Sequence, residues 1–334
     1  PIDGHSRLSD NTLRYLNGDI NMNVREDAYK IINNAIADAM PDVAVKSFLQ
    51  GLDIQKEILL VSIGKAGYQM AKSAYEVLEY RIGKGIVITK YGHSSGNIGP
   101  IVVYEAGHPV LDENSVKATE AVLEMVRGLN EDYVVIFLVS GGGSALFESP
   151  LIPLAELQDI NRQLLACGAN IVEVNTIRKR LSSVKGGRFA EACAPADVIS
   201  IILSDIVGDP LDMIASGPAY PDKSTRSEAA EIVRKYGLKL SENALKCIAS
   251  ETPKTLSNVK TYVTGSVNQL CTSAAVTAES MGYQTVILTS SLDCEAKEAG
   301  KMLSAIARYH NNDNKALAFI AGGETVVRLT GKGM

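Results

Sequence analysis

Short apolar runs alternate along the chain with segments of helical periodicity. The runs are rich in Ile and Val, as strands buried on both faces are, and they lie at 58–63, 85–89, 101–106, 133–139 and 198–203. Between the first two, Met70, Ala74, Val77 and Leu78 would share one helical face. Further helices are predicted at 115–129, 154–165 and 176–192. The alternation predicts an α/β fold: a three-layer, Rossmann-like domain with a mostly parallel sheet and helices on both faces.

A second, shorter α/β run is predicted after a Pro- and Gly-rich stretch at 207–222 and a helical segment. It would open with apolar runs at 259–265, 284–290 and 316–323. We therefore predict a first domain over 22–250 and a second over 256–334. The chain stops at Met334 inside a Gly-rich turn, so the second domain is expected to be truncated here. Residues 1–21 are expected to be an N-terminal extension, partly foreign to the native protein.

Composition narrows the class of protein. A net charge of −5 and a pI near 5.5 argue against nucleic-acid or membrane-surface binding. No apolar run approaches the ~20 residues that span a bilayer, and no signal-peptide pattern is visible. The 5 cysteines form no CxxC pair, which is typical of reduced thiols in a cytoplasmic protein. The sequence leaves the oligomeric state open, a homodimer included.

Small, polar or ionic residues follow nearly every predicted strand. In open α/β sheets, ligands bind outside the carboxyl ends of the strands, so these residues are the candidate site. They include Lys65, Ser140, Gly141, Gly142, Gly143, Ser144, Asp205, Asp209 and Glu324.

The glycine loop, residues 140–144, follows the run YVVIFLV directly. A glycine-rich turn lets backbone N–H groups approach a ligand, and a helix beginning there would favour an anion. The loop therefore predicts a phosphate or carboxylate site, with a ligand-free turn as the alternative. Lys65 could place an ammonium on the same kind of anion, or be an exposed loop lysine.

Two further groups of residues suggest chemistry. Asp205 directly follows a buried strand. A carboxylate at that place could bind Mg²⁺ or could accept a proton from a hydroxyl. Asp209 could bind the same ion, or it could cap a helix. Within the predicted helix 176–192, Arg178, Ser182 and Lys185 would share a face that could clamp an anionic substrate or could simply be solvated. Two glycines in KGGRF indicate a helix break or a close backbone approach.

Several longer motifs occur in a fixed order. They are SIGKAGYQMA, AGHPVLDENS, SGGGSAL, VNTIRKRLSSVKGGRFA, LSDIVGDPLDMIASGP, TGSVNQL and AGGETVV. Together, from about residue 24 to residue 334, they resemble the glycerate 2-kinase family, whose C-terminal part is called MOFRL. The resemblance implies phosphorylation of D-glycerate to 2-phosphoglycerate with ATP and Mg²⁺, in a cleft between two α/β domains.

Two alternatives remain at this point. Similar proteins are also named hydroxypyruvate reductases, but an NAD(P)H-dependent enzyme needs a dinucleotide loop, and the sequence has no GxGxxG after its first strand. A Walker P-loop is absent as well. A non-catalytic sugar-phosphate sensor would keep the glycine loops but would not need Lys65 and Asp205 together.

The resemblance and the residues suggest a distribution of roles. The glycine loop would hold ATP phosphate, and Lys65 would neutralise the transferring phosphoryl group. Arg178, with Asn175 and Lys185, would bind the glycerate carboxylate. Exchanging ATP and glycerate between the glycine loop and the Arg178 segment fits the sequence almost as well.

The metal ligands are predicted separately. Asp205 would hold Mg²⁺ or orient the glycerate hydroxyl, and Asp209 would assist. Glu324, after two glycines, is a candidate for Mg²⁺ or nucleotide contact. Phosphoryl transfer mainly requires positioning of the reactants and neutralisation of their charge, and the predicted glycines, cations and carboxylates could provide both.

Overall fold

The computed structural model describes residues 23–203, 211–313 and 315–327. Residues Ala39–Val267 form one compact unit, and the described residues before and after them form another. Within these described ranges, no helix combines the length and the apolar character needed to cross a bilayer.

The larger unit is built on a six-stranded sheet in the order β3-β2-β1-β4-β5-β6. Its strands are β1 (Glu57–Ile63), β2 (Ile82–Lys90), β3 (Ile101–Ala106), β4 (Tyr133–Val139), β5 (Asp197–Leu203) and β6 (Val259–Thr264). Every neighbouring pair is parallel. The α/β, mostly parallel fold predicted from the sequence is thereby confirmed. The strand order reverses between β1 and β4, and such a switch point opens a crevice at the carboxyl ends of the two strands.

Helices cover both faces of this sheet. They are α2 (Pro41–Gln50), α3 (Gly67–Leu78), α4 (Glu113–Met125), α5 (Gly143–Leu146), α6 (Leu154–Ala166), α7 (Ile171–Arg180), α8 (Arg188–Cys193), α9 (Arg226–Tyr236) and α10 (Glu242–Ile248). Leu59, Val61 and Ile63 of β1 join the core that holds α4, while Ile58 and Leu60 join the core that holds α3. The alternation follows from the two-residue period of a strand and accounts for the three layers.

The structure differs from the sequence-based prediction in two elements. The strand at 259–265, expected to open the second α/β run, is β6, which pairs with β5 and completes the large sheet. The helix predicted over 176–192 is two helices, α7 and α8, separated by a turn through Gly186 and Gly187. Both glycines adopt positive φ (+59° and +88°), which an L-residue rarely adopts, so the helix cannot continue through them.

The smaller unit contains α1 (Val24–Asp38), α11 (Val267–Ser280), β7 (Gln284–Leu292), α12 (Ala296–Tyr309) and β8 (Leu317–Gly323). β7 and β8 pair in parallel. α1 belongs to this unit, although the sequence pattern placed it with the first domain; the Tyr283 hydroxyl donates to Asp27 at 2.8 Å. An apolar cavity of about 490 Å³ lies between α1, α11 and β8.

Three phenylalanines form the centre of one core of the larger unit. Phe137, Phe147 and Phe189 are fully buried, with ring centroids 4.7–5.9 Å apart. Tilted and edge-to-face pairs at such distances contribute beyond the area they bury. These rings hold β4 to the segments that follow α5 and begin α8.

Truncation of Phe137 to alanine should destabilise the protein by about 3–5 kcal/mol, because it removes a buried ring and two aromatic contacts. Chemical denaturation followed by circular dichroism measures this loss. Tyr80→Ala is the control, since this tyrosine is 89% exposed and its removal should change stability by no more than about 0.5 kcal/mol. Equal losses for the two variants would contradict the assignment of Phe137 to the core.

Candidate active site

The loops after β1 and β4 are locked together at the switch point. The Ser140 hydroxyl donates to the Ile63 carbonyl and accepts the Ala66 N–H, both at 3.1 Å. The Lys65 N–H donates to the Gly141 carbonyl at 2.8 Å. Gly64, at φ +110°, has no room for a side chain, because an added Cβ would lie 2.3 Å from the Ser140 Oγ. The two sequence motifs therefore form one site.

Lys65 and His108 flank the middle of the glycine loop. Gly142 has φ +89° and precedes α5, and a Cβ added to it would meet the His108 ring at 3.0 Å and the Lys65 Cγ at 3.1 Å. Lys65 is exposed, whereas His108 is half-buried. Burial, and then the charges of Lys65 and Lys90, lower the pKa of His108. His108 is therefore a neutral imidazole at pH 7, beside a cation.

The far end of the glycine loop meets α7. Arg178 donates from Nη2 to the Ser144 carbonyl at 3.0 Å. Asn175, one helical turn earlier, is buried and accepts a hydrogen bond from Ser216 at 2.9 Å. The Ser216 hydroxyl also lies 3.1 Å from the Ser144 hydroxyl. The structure thus brings Lys65, residues 140–144, Asn175 and Arg178 to one place.

Lys185 lies next to this group but below its surface. It is fully buried, and its Nζ donates to the Phe147 carbonyl at 2.7 Å and lies 3.2 Å from the Glu148 Oε2, an ion-pair distance. Neither oxygen of the equally buried Glu148 has a hydrogen bond of good geometry among the described residues. Burial lowers the pKa of Lys185 to about 8, opposed by Glu148 and reinforced by Arg178. This geometry argues against contact between Lys185 and a substrate.

The prediction that Arg178, Ser182 and Lys185 share one helical face is wrong, because α7 ends at Arg180. The last two cations of α7, Lys179 and Arg180, are buried, and Arg178 is half-buried. Lys179 Nζ lies 3.2 Å from Asp212 and 3.1 Å from Asp222. Burial would raise the pKa of Asp222, but the Thr252 hydrogen bond and the charge of Lys179 hold it below its usual value. This ionic cluster fixes the end of the helix from which Arg178 projects.

The remaining predicted residues are the candidates for the metal site. Asp205 and Asp209 lie outside the described residues. Glu324 is exposed and belongs to the smaller unit. In the parts of the chain that the structure describes, no three His, Cys, Asp or Glu side chains cluster as a metal site would require.

Besides His108 in AGHPVLDENS, sequence reasoning missed two contributors to the site. Ser216 stands in the motif LSDIVGDPLDMIASGP, but nothing about a serine in an unpatterned stretch points to Asn175 or Ser144. Glu148 follows the glycine loop in SGGGSALFE, and the available signal was a single carboxylate between the apolar residues ALF and LI.

Comparison with known proteins identifies the family. A family model described as a domain of unknown function, DUF4147, matches residues 27–249. D-glycerate 2-kinase of Thermotoga maritima is 49% identical over 313 residues, which cover 92% of this chain and 75% of that protein. The chain belongs to the glycerate 2-kinase family. The resemblance drawn from the ordered motifs is thereby confirmed.

A crystal structure of glycerate kinase from Thermotoga maritima shares the fold of this family member. The TM-score is 0.90 at 48% sequence identity, over 93% of this chain and 76% of that one. A protein of Agrobacterium vitis named as a putative hydroxypyruvate reductase is 36% identical over 319 residues, 92% of this chain and 72% of that protein. The reductase name therefore accompanies a more distant likeness than that of the Thermotoga maritima kinase.

Replacing Glu148 with glutamine should destabilise the protein by about 3–5 kcal/mol at pH 7, because it leaves the Lys185 ammonium buried without its counter-charge. The loss should shrink as pH rises through about 8. The pKa of Lys185 is about 8 in the folded protein, against 10.5 ordinarily, and Glu148 raises it. Without Glu148 the folded variant therefore sheds this proton at a lower pH than the unsubstituted protein does, and above about pH 8 neither carries a charge that Glu148 would compensate.

Denaturant titrations at pH 6.5, 7.5 and 9 measure this effect. Glu124→Gln is the matched control, since Glu124 pairs with Arg127 on the exposed surface at 2.8 Å and should contribute no more than about 1 kcal/mol at any of these pH values. A loss for Glu148→Gln that stays constant with pH would contradict the role of the Lys185 charge.

Proposed function

We propose that this member of the glycerate 2-kinase family transfers a phosphoryl group from ATP to the 2-hydroxyl of D-glycerate, giving 2-phosphoglycerate. The observation that carries the proposal is the meeting of Lys65 and Arg178 on opposite ends of one glycine loop at the switch point between β1 and β4. Such a site offers separate cationic groups to two anions. A kinase that joins ATP to a carboxylate substrate needs both.

We assign the Lys65 end of the loop to ATP phosphate. Lys65 is an exposed ammonium beside a backbone that approaches closely, since Gly142 has no side chain to keep a ligand away. Lysine acts as a point charge on phosphate and needs no fixed geometry. Neutral His108 adds a hydrogen-bonding group without adding repulsion to the lysine. Charge neutralisation and positioning of this kind are the main source of catalysis in phosphoryl transfer.

We assign the Arg178 end to glycerate. One Nη of Arg178 is used on the Ser144 carbonyl, and its Nε has no hydrogen-bond partner among the described residues. A guanidinium held in this way presents its remaining N–H groups in a fixed plane, which suits a carboxylate. Hydroxyl and amide groups of Ser144 and Asn175 lie beside it and suit the hydroxyls of a small hydroxy acid.

Magnesium remains a proposal that rests on the sequence. The carboxylates expected to hold it, Asp205 and Asp209, lie outside the described residues, and the described residues do not supply a donor set. When bound, Mg²⁺ would neutralise charge on the ATP phosphates. The roles given to Lys65 and Arg178 do not depend on its position.

The protein, incubated with D-glycerate, ATP and Mg²⁺, should yield 2-phosphoglycerate, identified by ³¹P NMR. A 3-phosphoglycerate signal would support kinase activity but would overturn the assignment of the 2-hydroxyl as the phosphate acceptor. Oxidation of NAD(P)H on addition of hydroxypyruvate, without phosphate transfer, would replace the kinase by the reductase.

The two ends of the loop should respond differently to substitution. Arg178→Lys keeps the charge but loses the planar guanidinium that can bind a carboxylate through two N–H groups. It should therefore raise KM for glycerate at least about tenfold and change KM for ATP little. Lys65→Met should lower kcat by about 10²–10³-fold, the loss typical of removing one group that stabilises developing charge. Initial rates with each substrate varied in turn measure both effects.

Lys72→Met is the control for charge alone, because Lys72 is exposed on α3 in the same unit. Its kinetics should match those of the unsubstituted protein. If Arg178→Lys raised KM for ATP and Lys65→Met raised KM for glycerate, the two assignments would be exchanged.

A further inference from the structure

Three consecutive residues beside the site have left-handed backbone. Ala215, Ser216 and Gly217 have φ of +51°, +61° and +65°. Only the glycine adopts this conformation readily, and each of the other two carries a cost of about 1–2 kcal/mol. Such residues persist where the surrounding structure holds them, and they concentrate at functional sites.

The surroundings hold this segment from two sides. The Gly186 and Gly187 N–H groups donate to the carbonyls of Ser216 and Gly217 at 3.0 and 2.8 Å. On the other side, a Cβ added to Gly143 would lie 2.7 Å from the Ala215 Cβ, so the segment packs directly on the glycine loop. The strained backbone is therefore set by the turn that precedes α8 and by the loop that follows β4.

The consequence of this backbone is the position of the Ser216 hydroxyl. The hydroxyl is fully buried, donates to the Asn175 Oδ1 at 2.9 Å and lies 3.1 Å from the Ser144 hydroxyl. A hydroxyl has one proton. Because Ser216 gives its proton to Asn175, the Ser144 hydroxyl must donate to Ser216, and its own oxygen is left as an acceptor.

We propose that Ser216 is a positioning residue, which orients Ser144 and Asn175 toward glycerate and for which the left-handed backbone is retained. The inference rests on the proposed function and deepens it. With the Ser144 proton turned inward, the Ser144 oxygen can accept a hydrogen bond from a hydroxyl of the substrate, whereas it has no proton for a phosphate oxygen. This polarity fits a hydroxy acid at this end of the loop and disfavours the ATP phosphates there.

The test uses two variants that separate the hydroxyl from the backbone. Ser216→Gly removes the hydroxyl but relieves the positive φ, so its melting temperature should exceed that of Ser216→Ala, which loses the same two buried hydrogen bonds. Ser216→Ala removes the hydroxyl and keeps the strain. Both should lower kcat/KM for glycerate by about 10- to 100-fold, the range expected for misplaced groups, with little change in KM for ATP.

Ser73→Ala is the matched control, since Ser73 is a buried serine of α3 whose hydroxyl donates to the Gln69 carbonyl of its own helix. Its kcat/KM should be unchanged. A Ser216→Gly variant that is stable and as active as the unsubstituted protein would overturn the inference, because a merely structural serine would be replaced there without loss.

A second measurement keeps the inference separate from the proposed function. In a crystal structure of Ser216→Gly, the side chains of Ser144 and Asn175 should take new or multiple rotamers. Unchanged rotamers would overturn the positioning role, whatever the activity. If the unsubstituted protein formed no phosphoglycerate, the proposed function would fail, and these rotamers would still decide whether Ser216 positions its neighbours.

Discussion

The contact between Gly64 and Ser140 is the constraint on which the site depends. β1 and β4 pair in register from Glu57 with Tyr133 to Ile63 with Val139, so their loops leave the sheet side by side. The loops can interlock only because residue 64 has no side chain, an added Cβ lying 2.3 Å from the Ser140 Oγ. Ser140 in turn bonds the backbone on both sides of that glycine. The position of Lys65 relative to the glycine loop follows from this contact.

Buried charge fixes the other half of the site. Lys185 with Glu148, and Lys179 with Asp222, are ion pairs whose side chains are at most 3% exposed. Pairs of this kind are a poor source of net stability, because desolvation offsets much of the attraction. Breaking one leaves an unpaired buried charge, however, so each pair strongly disfavours any other placement of its segment. On this view the pairs specify where α7 ends and where Arg178 points.

The sequence sufficed for five of the six strands of the large sheet and for half of the site, and physical reasons explain the remainder. Strands buried on both faces are continuous apolar runs, which is why the strands were predicted closely and why their ends located Lys65 and residues 140–144. The end of α7 was missed because apolar spacing continues through Leu181 and Val184, both buried, beyond the last helical turn. The place of β6 depends on which sheet edge is free to pair, and the positive φ of Ser216 depends on the two segments that hold it. Neither is a property of a local pattern.

The short glycine loop holds the Lys65 and Arg178 ends of the site close enough for phosphoryl transfer between two bound anions. Gly142, beside Lys65 and His108, and Ser144, beside Arg178, are two residues apart, and consecutive Cα atoms are about 3.8 Å apart, so the two ends lie within about 7.6 Å. Two anions bound at these ends would have their reacting groups close together, and phosphoryl transfer requires an approach of about 3–3.5 Å. Their mutual repulsion would be opposed by a separate cation at each end. Lys185 does not help to attract these anions, because Glu148 compensates its charge. Lys65 is exposed, Arg178 is half-buried and Lys185 is fully buried. On the proposed assignment, this gradient of burial separates a cation for phosphate, a cation for carboxylate and a cation that holds the site in place.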